Sequence, residues 1–185
     1  MQMRKDIRCA VVNNRVMPGG LSEEEKTELG RELWRLICEE GVNYFLTDMM
    51  PGTAMTAARM VLQFRAQFPY LALECIIPFE RQAVKWNEKL REEYFDIIEN
   101  CDRETMICRS FTVRCWETID RYCSERSQFA VLQFPTDAGD RSASRFREYA
   151  RVNGCSVIDI GRASNKTASN KTTKKKESGT TNKSI

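Results

Sequence analysis

The sequence predicts an α/β fold: a three-layer sandwich in which about six mostly parallel strands form one sheet with helices on both faces. Short apolar runs alternate with longer amphipathic segments along the 185 residues, as in chains built from repeated β-α units. The expected strands are strongly apolar, which is typical of parallel strands covered on both sides. Residues 1–161 are therefore predicted to form a single Rossmann-like domain.

The first predicted strand spans residues 7–12, and the first predicted helix follows it at 22–40. Ser22 and Glu25 have the spacing of a capping box, in which each side chain binds the backbone N–H of the other residue. The apolar residues of this helix share one face: Leu29, Leu33, Leu36 and Ile37. Gly41 is the residue type that commonly ends a helix.

The next elements are a short strand at 44–47 and a helix at 53–68. This helix is apolar on most sides, so we expect it to be well buried, and Pro69 ends it. A strand at 71–77 follows. The third helix is predicted over 80–98, which places Pro78 in the turn before it.

The last part of the domain repeats the alternation. A strand at 105–108 precedes a helix at 113–127, and a strand at 129–134 precedes a helix at 142–153. The apolar side chains of this last helix lie on one face: Phe146, Tyr149 and Ala150. A strand at 157–160 closes the domain.

Ligands of such folds bind beyond the carboxyl ends of the strands, where the strand order switches. Four loops are expected at that edge, at residues 13–21, 47–53, 77–86 and 134–144. None of them contains a dinucleotide-binding glycine fingerprint or a P-loop. The turn at 47–53 keeps Gly52 but is followed by Ala, Met and Thr, so we interpret 53–60 as packing around a site.

The chain contains no histidine and eight cysteines. The absence of histidine excludes Ser-His-Asp, Cys-His and histidine general-base chemistry. No CxxC pair is present, so we expect no structural zinc and no other bound metal. The cysteines are interpreted as small, reduced and buried residues.

The charge of the chain is divided unevenly. Residues 162–185 carry seven Lys/Arg and one Glu, which leaves 22 basic and 25 acidic residues in 1–161. The segment 162–185 is rich in Asn, Lys and Thr and has no aromatic residue, so it is predicted to be a disordered basic tail. The N-terminal apolar run is too short for a signal peptide and no segment is apolar enough to span a bilayer, so a cytoplasmic protein without a membrane partner is expected.

The segment IIPFERQAVKWNEKLREEYFDII resembles YpsA-type proteins of the SLOG superfamily. In that family a strand ends in a Pro-Phe-Glu turn, followed by a glutamine and then a tryptophan. The matching residues are Pro78, Phe79, Glu80, Gln82 and Trp86. YFLTDMMPGTAMTAA and DRYCSERSQFAVLQF also fall at corresponding places, so the resemblance covers roughly residues 5–160.

The resemblance implies a Rossmann-like fold and, for the superfamily, binding of nucleotides or nucleotide-sugar derivatives. Some relatives hydrolyse nucleoside monophosphates, and another branch binds single-stranded DNA. The chain departs from the family motifs in three loops. In the loop after the first strand, only Arg15 matches the family motif. In the second loop, Asp48, Ala54 and Arg59 stand where the family has a glycine, an aspartate and a glutamate. In the fourth loop, the family has a Gly-Gly-Thr element, and this chain has Ala138-Gly139-Asp140-Arg141-Ser142 in its place.

The resemblance and the loop chemistry together select the candidate ligand-binding residues. These are Asn14, Arg15, Gly52, Pro78, Phe79, Glu80, Gln82, Trp86, Gly139, Arg141 and Ser142. Gln82 is the strongest of them because an amide both donates and accepts hydrogen bonds. Phe79 and Trp86 could equally be core residues, and Glu80 could equally stabilise a helix start.

Three functions follow from these residues. We favour a divergent, non-catalytic SLOG-type domain that binds a nucleotide-like small molecule or serves as an interaction module, with no resident cofactor. The first alternative is a nucleotide or N-glycoside hydrolase, for which Glu80 and Glu125 are the candidate carboxylates. The second is a DNA-binding accessory protein that uses the basic tail, which the acidic body disfavours. A homo-oligomer remains open.

Overall fold

The computed structural model describes residues 6–13, 20–133 and 141–161. Strands and helices alternate strictly along this part of the chain. The strands are β1 Arg8–Val12, β2 Tyr44–Thr47, β3 Ala72–Phe79, β4 Arg103–Cys108, β5 Phe129–Gln133 and β6 Ser156–Ile160. The helices are α1 Glu23–Cys38, α2 Thr53–Phe64, α3 Glu88–Asn100, α4 Val113–Arg126 and α5 Arg141–Asn153. The predicted strand 129–134 and the predicted tail 162–185 extend outside the described residues.

The six strands form one sheet in the order β4-β3-β2-β1-β5-β6, and every neighbouring pair is parallel. The chain builds the sheet outward from β1 to β4 and then crosses back to add β5 and β6 on the other side of β1. The carboxyl ends of all strands therefore meet at one edge, and the strand order switches between β1 and β5. The predicted Rossmann-like sandwich is confirmed.

Two hydrophobic cores cover the two faces of this sheet. Alternate residues of β1 enter different cores, Val11 on one face and Val12 on the other, as the two-residue period of a strand requires. Helices α1, α2 and α3 supply the first core with Leu29, Leu33, Ala57, Val61 and Ile97. Helices α4 and α5 supply the second core with Ile119, Cys123, Phe146 and Ala150.

Helix α1 has the predicted termini. The Ser22 side chain accepts a hydrogen bond from the Glu25 N–H at 3.2 Å, and the Glu25 carboxylate accepts one from the Ser22 N–H at 2.9 Å. Gly41 has a φ of 71°, and the Val42 N–H next to it donates to the Leu36 carbonyl at 3.0 Å. This is the backbone geometry by which a glycine commonly ends a helix.

Helix α2 is shorter than predicted, because it ends at Phe64 and not at residue 68. After Phe64 the N–H groups of Ala66 and Gln67 donate to carbonyls only three residues earlier, at 3.2 and 2.9 Å. These tighter turns bring the chain back toward the sheet before Pro69.

The third helix begins later than predicted, at Glu88 and not at residue 80. Strand β3 continues through Pro78 to Phe79, which pairs with Cys108 of β4. Residues 80–86 then form successive tight turns, and Asn87 caps α3 by accepting a hydrogen bond from the Leu90 N–H at 3.0 Å. The motif residues Glu80, Gln82 and Trp86 therefore lie on a loop and not on a helix.

The expectation that strands are covered on both sides fails at β4, the edge strand beside β3. Arg103, Glu104 and Met106 are exposed there. Charged side chains on an exposed edge strand are typical, because they oppose pairing with another chain.

Strand β3 carries a charged residue inside the sheet. The side chain of Glu74 is 1% exposed. It accepts hydrogen bonds from the hydroxyls of Tyr44, Thr105 and Tyr122 at 2.9, 2.6 and 2.7 Å. These bonds lower the pKa of Glu74 although burial opposes its ionisation.

Among the residues that the structure describes, no helix combines the length and the apolar character needed to cross a bilayer.

Candidate functional site

Three buried polar residues meet at the carboxyl edge beside the β1–β5 switch. The Asn13 side chain donates to the Pro51 carbonyl at 2.8 Å and accepts from the Thr53 N–H at 3.0 Å. The Asp48 carboxylate accepts from the backbone N–H groups of Asn13 and Met50, both at 3.2 Å. Asn13 thus holds the β2–α2 turn against the end of β1.

The same network extends across the sheet to β5 and α1. The Thr53 hydroxyl donates to the Gln133 carboxamide at 3.1 Å, and the Gln133 amide donates to Glu25 at 3.1 Å. Five residues, from the ends of β1, β2 and β5 and from the first turns of α1 and α2, are therefore tied together at this edge. We name Asn13, Asp48, Thr53, Gln133 and Glu25 the rim network.

The rim network uses its polar atoms internally. Both polar atoms of the Asn13 side chain are bonded to the β2–α2 turn, and the Thr53 N–H at the start of α2 is occupied by Asn13. The first turn of α2 is buried: Thr53, Ala54 and Met55 are at most 2% exposed. The residues that follow the turn therefore pack into the fold, as the interpretation of 53–60 expected.

Gly52 has a conformational role in this turn. Its φ is 107°, a region that L side chains rarely adopt. A Cβ at this position would lie 3.0 Å from the Asn13 Oδ1 atom. The conformation of the turn is therefore sufficient to account for a glycine at position 52.

Gln82 links the loop after β3 to the loop after β2. Its side chain is 94% buried, given a relative exposure of 6%, and its amide donates to the Met49 carbonyl at 2.9 Å. Met49 has a φ of 52°, which turns the chain so that this carbonyl can be reached. The Oε1 atom of Gln82 is buried and has no hydrogen-bond partner among the residues that the structure describes. A buried acceptor without a donor costs free energy, so this oxygen is a candidate acceptor for a hydrogen bond from a ligand.

Gln82 lines a cavity of about 590 Å³ beside the carboxyl ends of β3 and β4. Its lining residues are Phe79, Arg81, Gln82, Val84, Lys85, Trp86 and Phe111. We name this space the β3 cavity. Three of the seven residues are aromatic and two are cationic, so it combines apolar walls with positive charge.

The aromatic walls of the β3 cavity are supported by neighbouring rings. Phe79 packs edge-to-face against Phe111, with ring centroids 5.1 Å apart, and against Trp116 at 6.4 Å. Trp86 packs against Tyr94 at 5.4 Å. Phe79 and Trp86 therefore belong partly to the packing of the domain while still lining the cavity.

Glu80 lies apart from Gln82. It is exposed and lines an adjacent hollow of about 260 Å³ that also includes Arg91 and Glu104. Pro78 is buried within β3. The residues of the Pro-Phe-Glu, Gln and Trp motif therefore lie in two places. Phe79, Gln82 and Trp86 line the β3 cavity, while Glu80 lines the neighbouring hollow.

The two carboxylates proposed for a hydrolase are far apart in the fold. Glu80 directly follows β3 at the carboxyl edge of the sheet. Glu125 is at the end of α4, just before β5 begins, in a groove with Arg121, Tyr122 and Arg126. Because all strands are parallel, the start of β5 is at the opposite edge, so one substrate cannot contact both carboxylates.

The structure describes the remaining candidate residues only in part or not at all. Asn14, Arg15 and Gly139 lie outside the described residues, and for Arg141 and Ser142 the side chains do too. The backbone of the last two opens helix α5.

Sequence reasoning missed several residues of the site. Arg81, Lys85 and Phe111 line the β3 cavity but belong to no motif. The two cations had a signal in the sequence, since both flank Gln82 in the loop. Phe111 had none, because it is brought to Phe79 only by the pairing of β3 with β4.

The parallel sheet and the PFExQxxxW loop at its carboxyl edge are features of a Rossmann-like domain of the SLOG type. The chain matches the family model YpsA, described as the YspA SLOG family, over residues 26–149. This match covers more than half of the chain, and the protein belongs to that family.

Curated relatives carry the name UPF0398 protein. The chain is 35% identical over 66 residues to one from Halalkalibacterium halodurans, covering 36% of this chain and 35% of that protein. It is 35% identical over 77 residues to one from Brevibacillus brevis, covering 42% and 40%. A Staphylococcus epidermidis protein is 29% identical over 98 residues, 52% of each. The chain thus spans about a third to a half of the relatives it matches.

Proposed function

We propose that this domain binds, without catalysis, a nucleotide-related ligand that carries a planar heteroaromatic base and an anionic group. The binding place is the β3 cavity. The observation that carries the proposal is the buried Gln82 Oε1 atom, which lacks a donor among the described residues, on a side chain that lines a roomy aromatic cavity.

The cavity has the dimensions and the walls that a base requires. Small-molecule pockets are about 300–1,000 Å³ and largely apolar, with a few polar groups that fix orientation. Phe79, Trp86 and Phe111 provide ring surfaces, and stacking of a base on an aromatic side chain contributes about 1–3 kcal/mol. The β3 cavity therefore suits a flat ring system better than a free sugar or an inorganic anion.

Gln82 supplies the polar recognition. Its amide is already engaged by the Met49 carbonyl, which fixes the orientation of the side chain and leaves Oε1 as an acceptor. An exocyclic amine or a ring N–H of a base would supply the missing donor once a rotation of the Gln82 side chain exposes the buried Oε1 atom to the cavity. The gain is the recovery of a desolvation penalty of about 1–3 kcal/mol for the unsatisfied oxygen.

Arg81 and Lys85 account for the anionic part of the ligand. Both are exposed at the cavity, so they can meet a phosphate without first losing much hydration. Exposed charges are screened by salt. We therefore expect the affinity for a phosphorylated ligand to fall as the ionic strength rises, while stacking on the rings persists.

The carboxylates do not support catalysis in the β3 cavity. Glu80 lines the neighbouring hollow, and Asp48 accepts two backbone hydrogen bonds in the rim network. A general base must come within about 2.6–3.2 Å of the proton it removes, and neither carboxylate lines the β3 cavity. Binding is the function that this arrangement supports.

Thermal unfolding of the full chain with AMP, ADP-ribose, NAD and cyclic nucleotides tests the proposal. A ligand at about 100 times its dissociation constant adds about 2.7 kcal/mol of stability. We expect stabilisation by at least one of them, and Gln82→Leu should reduce it. The matched control is Gln63→Leu, because Gln63 is exposed in a different groove.

A second pair of variants separates recognition of the base from recognition of the anion. Lys85→Gln should weaken binding of AMP while leaving that of adenosine unchanged. Lys89→Gln, an exposed change on α3 away from the cavity lining, should affect neither. Unchanged unfolding temperatures with AMP, ADP-ribose, NAD and the cyclic nucleotides would refute the binding proposal.

A further inference from the structure

The hollow next to the β3 cavity lies between helix α3 and the edge strand β4. Its volume is about 260 Å³, and its walls come from α3, β3, β4 and the loop after β3. Arg91 and Ile98 both line it and are seven residues apart on α3, which is about 10 Å along the helix axis. We name this elongated space the α3–β4 hollow.

Most of the lining of the α3–β4 hollow is apolar. Ile77 of β3 and Met106 of β4 are paired neighbours in the sheet, and both belong to the lining. Val84, Phe95 and Met106 are 53, 59 and 46% exposed, so the fold itself does not fill the space. Such a surface can receive the methylene chain of a ligand, because apolar stems gain stability when they leave water.

Tyr94 brings an unpaired polar group to the hollow. Tyr94 is 93% buried, given a relative exposure of 7%, and it lines the hollow. Its hydroxyl makes no hydrogen bond to any residue that the structure describes, and it is not one of the enclosed atoms without a partner, so it opens into the hollow. Burial raises the pKa of Tyr94, and the Glu104 carboxylate adds to that effect. The hydroxyl is therefore protonated at neutral pH and can both donate and accept.

Three charged side chains line the hollow without an ion-pair partner in the described part of the chain: Glu80, Arg91 and Glu104. By contrast, Glu93 on the α2 side of α3 is held by Arg59 at 3.0 Å. Glu80 follows β3 and Arg91 is near the start of α3, so both lie toward the carboxyl edge of the sheet. Glu104 is the second residue of β4 and lies toward the opposite edge. The hollow thus has charges of both signs at one end and a carboxylate at the other.

We propose that the α3–β4 hollow binds a free basic α-amino acid of about the size of lysine. The α-carboxylate of this ligand pairs with Arg91, and its α-ammonium group pairs with Glu80. Its methylene chain lies over Met106. The terminal ammonium group donates to the Glu104 carboxylate and to the Tyr94 hydroxyl oxygen.

Size and charge together select this class of ligand. Pockets for drug-sized molecules measure about 300–1,000 Å³, and the hollow is slightly smaller. Its lining carries two carboxylates and one guanidinium, and a basic amino acid carries two ammonium groups and one carboxylate, so the charges match one to one. An amino acid with an apolar side chain would leave Glu104 and Tyr94 without a partner, and a diamine would leave Arg91 without one.

The inference does not depend on the proposed function. The α3–β4 hollow and the β3 cavity share only Val84 among the residues that line them. A chain that binds no nucleotide would therefore contradict the proposed function and leave this inference standing.

Isothermal titration calorimetry of the full chain with L-lysine, L-norleucine and cadaverine tests the proposal. Norleucine lacks the terminal ammonium group of lysine, and cadaverine lacks its α-carboxylate. We expect lysine to bind most tightly and each of the other two to bind about fivefold more weakly, the effect of one ion pair. All three titrations use the wild-type chain, so the comparison does not depend on the folding of a variant.

Variants assign the terminal ammonium group to its partners. Glu104→Gln should weaken binding of lysine about fivefold and leave binding of norleucine unchanged. Tyr94→Phe removes only a hydroxyl and should act in the same direction. Glu99→Gln is the matched control, because Glu99 is exposed on α3 outside the lining, and it should affect neither ligand.

Methyl resonances of methionine locate the bound ligand. With lysine added, the Met106 methyl signal should shift saturably, while that of Met55, which is 2% exposed on α2, should stay in place. Two results overturn the inference. One is the absence of saturable binding at millimolar lysine, and the other is equal affinity of the wild-type chain for lysine and norleucine.

Discussion

Glu74 shows how a single residue can hold three strands and a helix together. Its carboxylate lies on β3 and accepts hydrogen bonds from β2, β4 and α4 through Tyr44, Thr105 and Tyr122. Arg103 adds a longer contact of 3.6 Å. Burial and the bond to Glu74 raise the pKa of Tyr44 to about 12, so the tyrosine remains a donor at neutral pH.

Replacing Glu74 by Gln should lower the free energy of unfolding by about 2 kcal/mol at pH 7, because hydrogen bonds to a charged group contribute about 1.5–3 kcal/mol. Urea unfolding measures the difference. Glu104→Gln, on the exposed edge strand, is the control and should change stability little.

The effect of Glu74→Gln on stability should depend on pH. The folded state lowers the pKa of Glu74, so its contribution is fully present above the unfolded value of about 4.3. It is lost as the pH falls through the lower folded-state pKa. The stability difference between wild type and Glu74→Gln should therefore shrink below about pH 4. A difference that stays constant between pH 7 and pH 3 would contradict this account.

Among the elements, the β2–α2 turn depends on a residue without a side chain. Gly52→Ala should destabilise the fold by about 1–3 kcal/mol, since it forces a strained backbone angle and brings a Cβ against Asn13. Gly20→Ala is the matched control, because nothing lies within 4 Å of its Cβ position. Equal melting temperatures for the two variants would mean that the turn tolerates a side chain.

The start of helix α3 offers a second prediction. Asn87→Ala removes the side chain that caps the Leu90 N–H and should cost about 1 kcal/mol. Asn100→Ala at the other end of α3 is the comparison. Chemical denaturation of both variants measures the effect. A negligible loss for Asn87→Ala would indicate that the helix does begin near residue 80.

Local signals in the sequence predicted most elements correctly but placed the start of α3 too early in the chain. The capping box of Ser22 and Glu25 is a short-range pattern, and the structure forms it. The loop 80–86 is helical in composition, yet Gln82 bonds to Met49, which is 33 residues earlier in the chain. A contact over that separation has no local pattern, so propensity extended the helix through the loop.

At the scale of the whole molecule, the sequence predicted the edge where a site would lie. Strict alternation of strands and helices implies parallel strands whose carboxyl ends share one edge, and the rim network and the β3 cavity both lie there. The residues that line the β3 cavity were harder to predict from the sequence. Phe111 has no periodicity around it, and its position follows only from β4 lying beside β3 at the end of the sheet.

Two different arrangements of polar groups therefore lie along a single edge of the domain. The rim network satisfies its polar atoms internally beside β1 and β5, and the β3 cavity carries the buried acceptor and the aromatic walls beside β3 and β4. We propose that the β3 cavity, and not a generic surface, receives a nucleotide base.

A nuclear magnetic resonance titration tests that claim most directly, because the indole N–H signals of tryptophan report on separate places. Trp86 lines the β3 cavity, whereas Trp34 of α1 packs against Phe64, the last residue of α2, and against Phe68 beyond it. With AMP or ADP-ribose added to the full chain, we expect the Trp86 signal to shift saturably while the Trp34 signal stays in place. A saturable shift at Trp34 with none at Trp86, or no shift at millimolar ligand, would contradict the account.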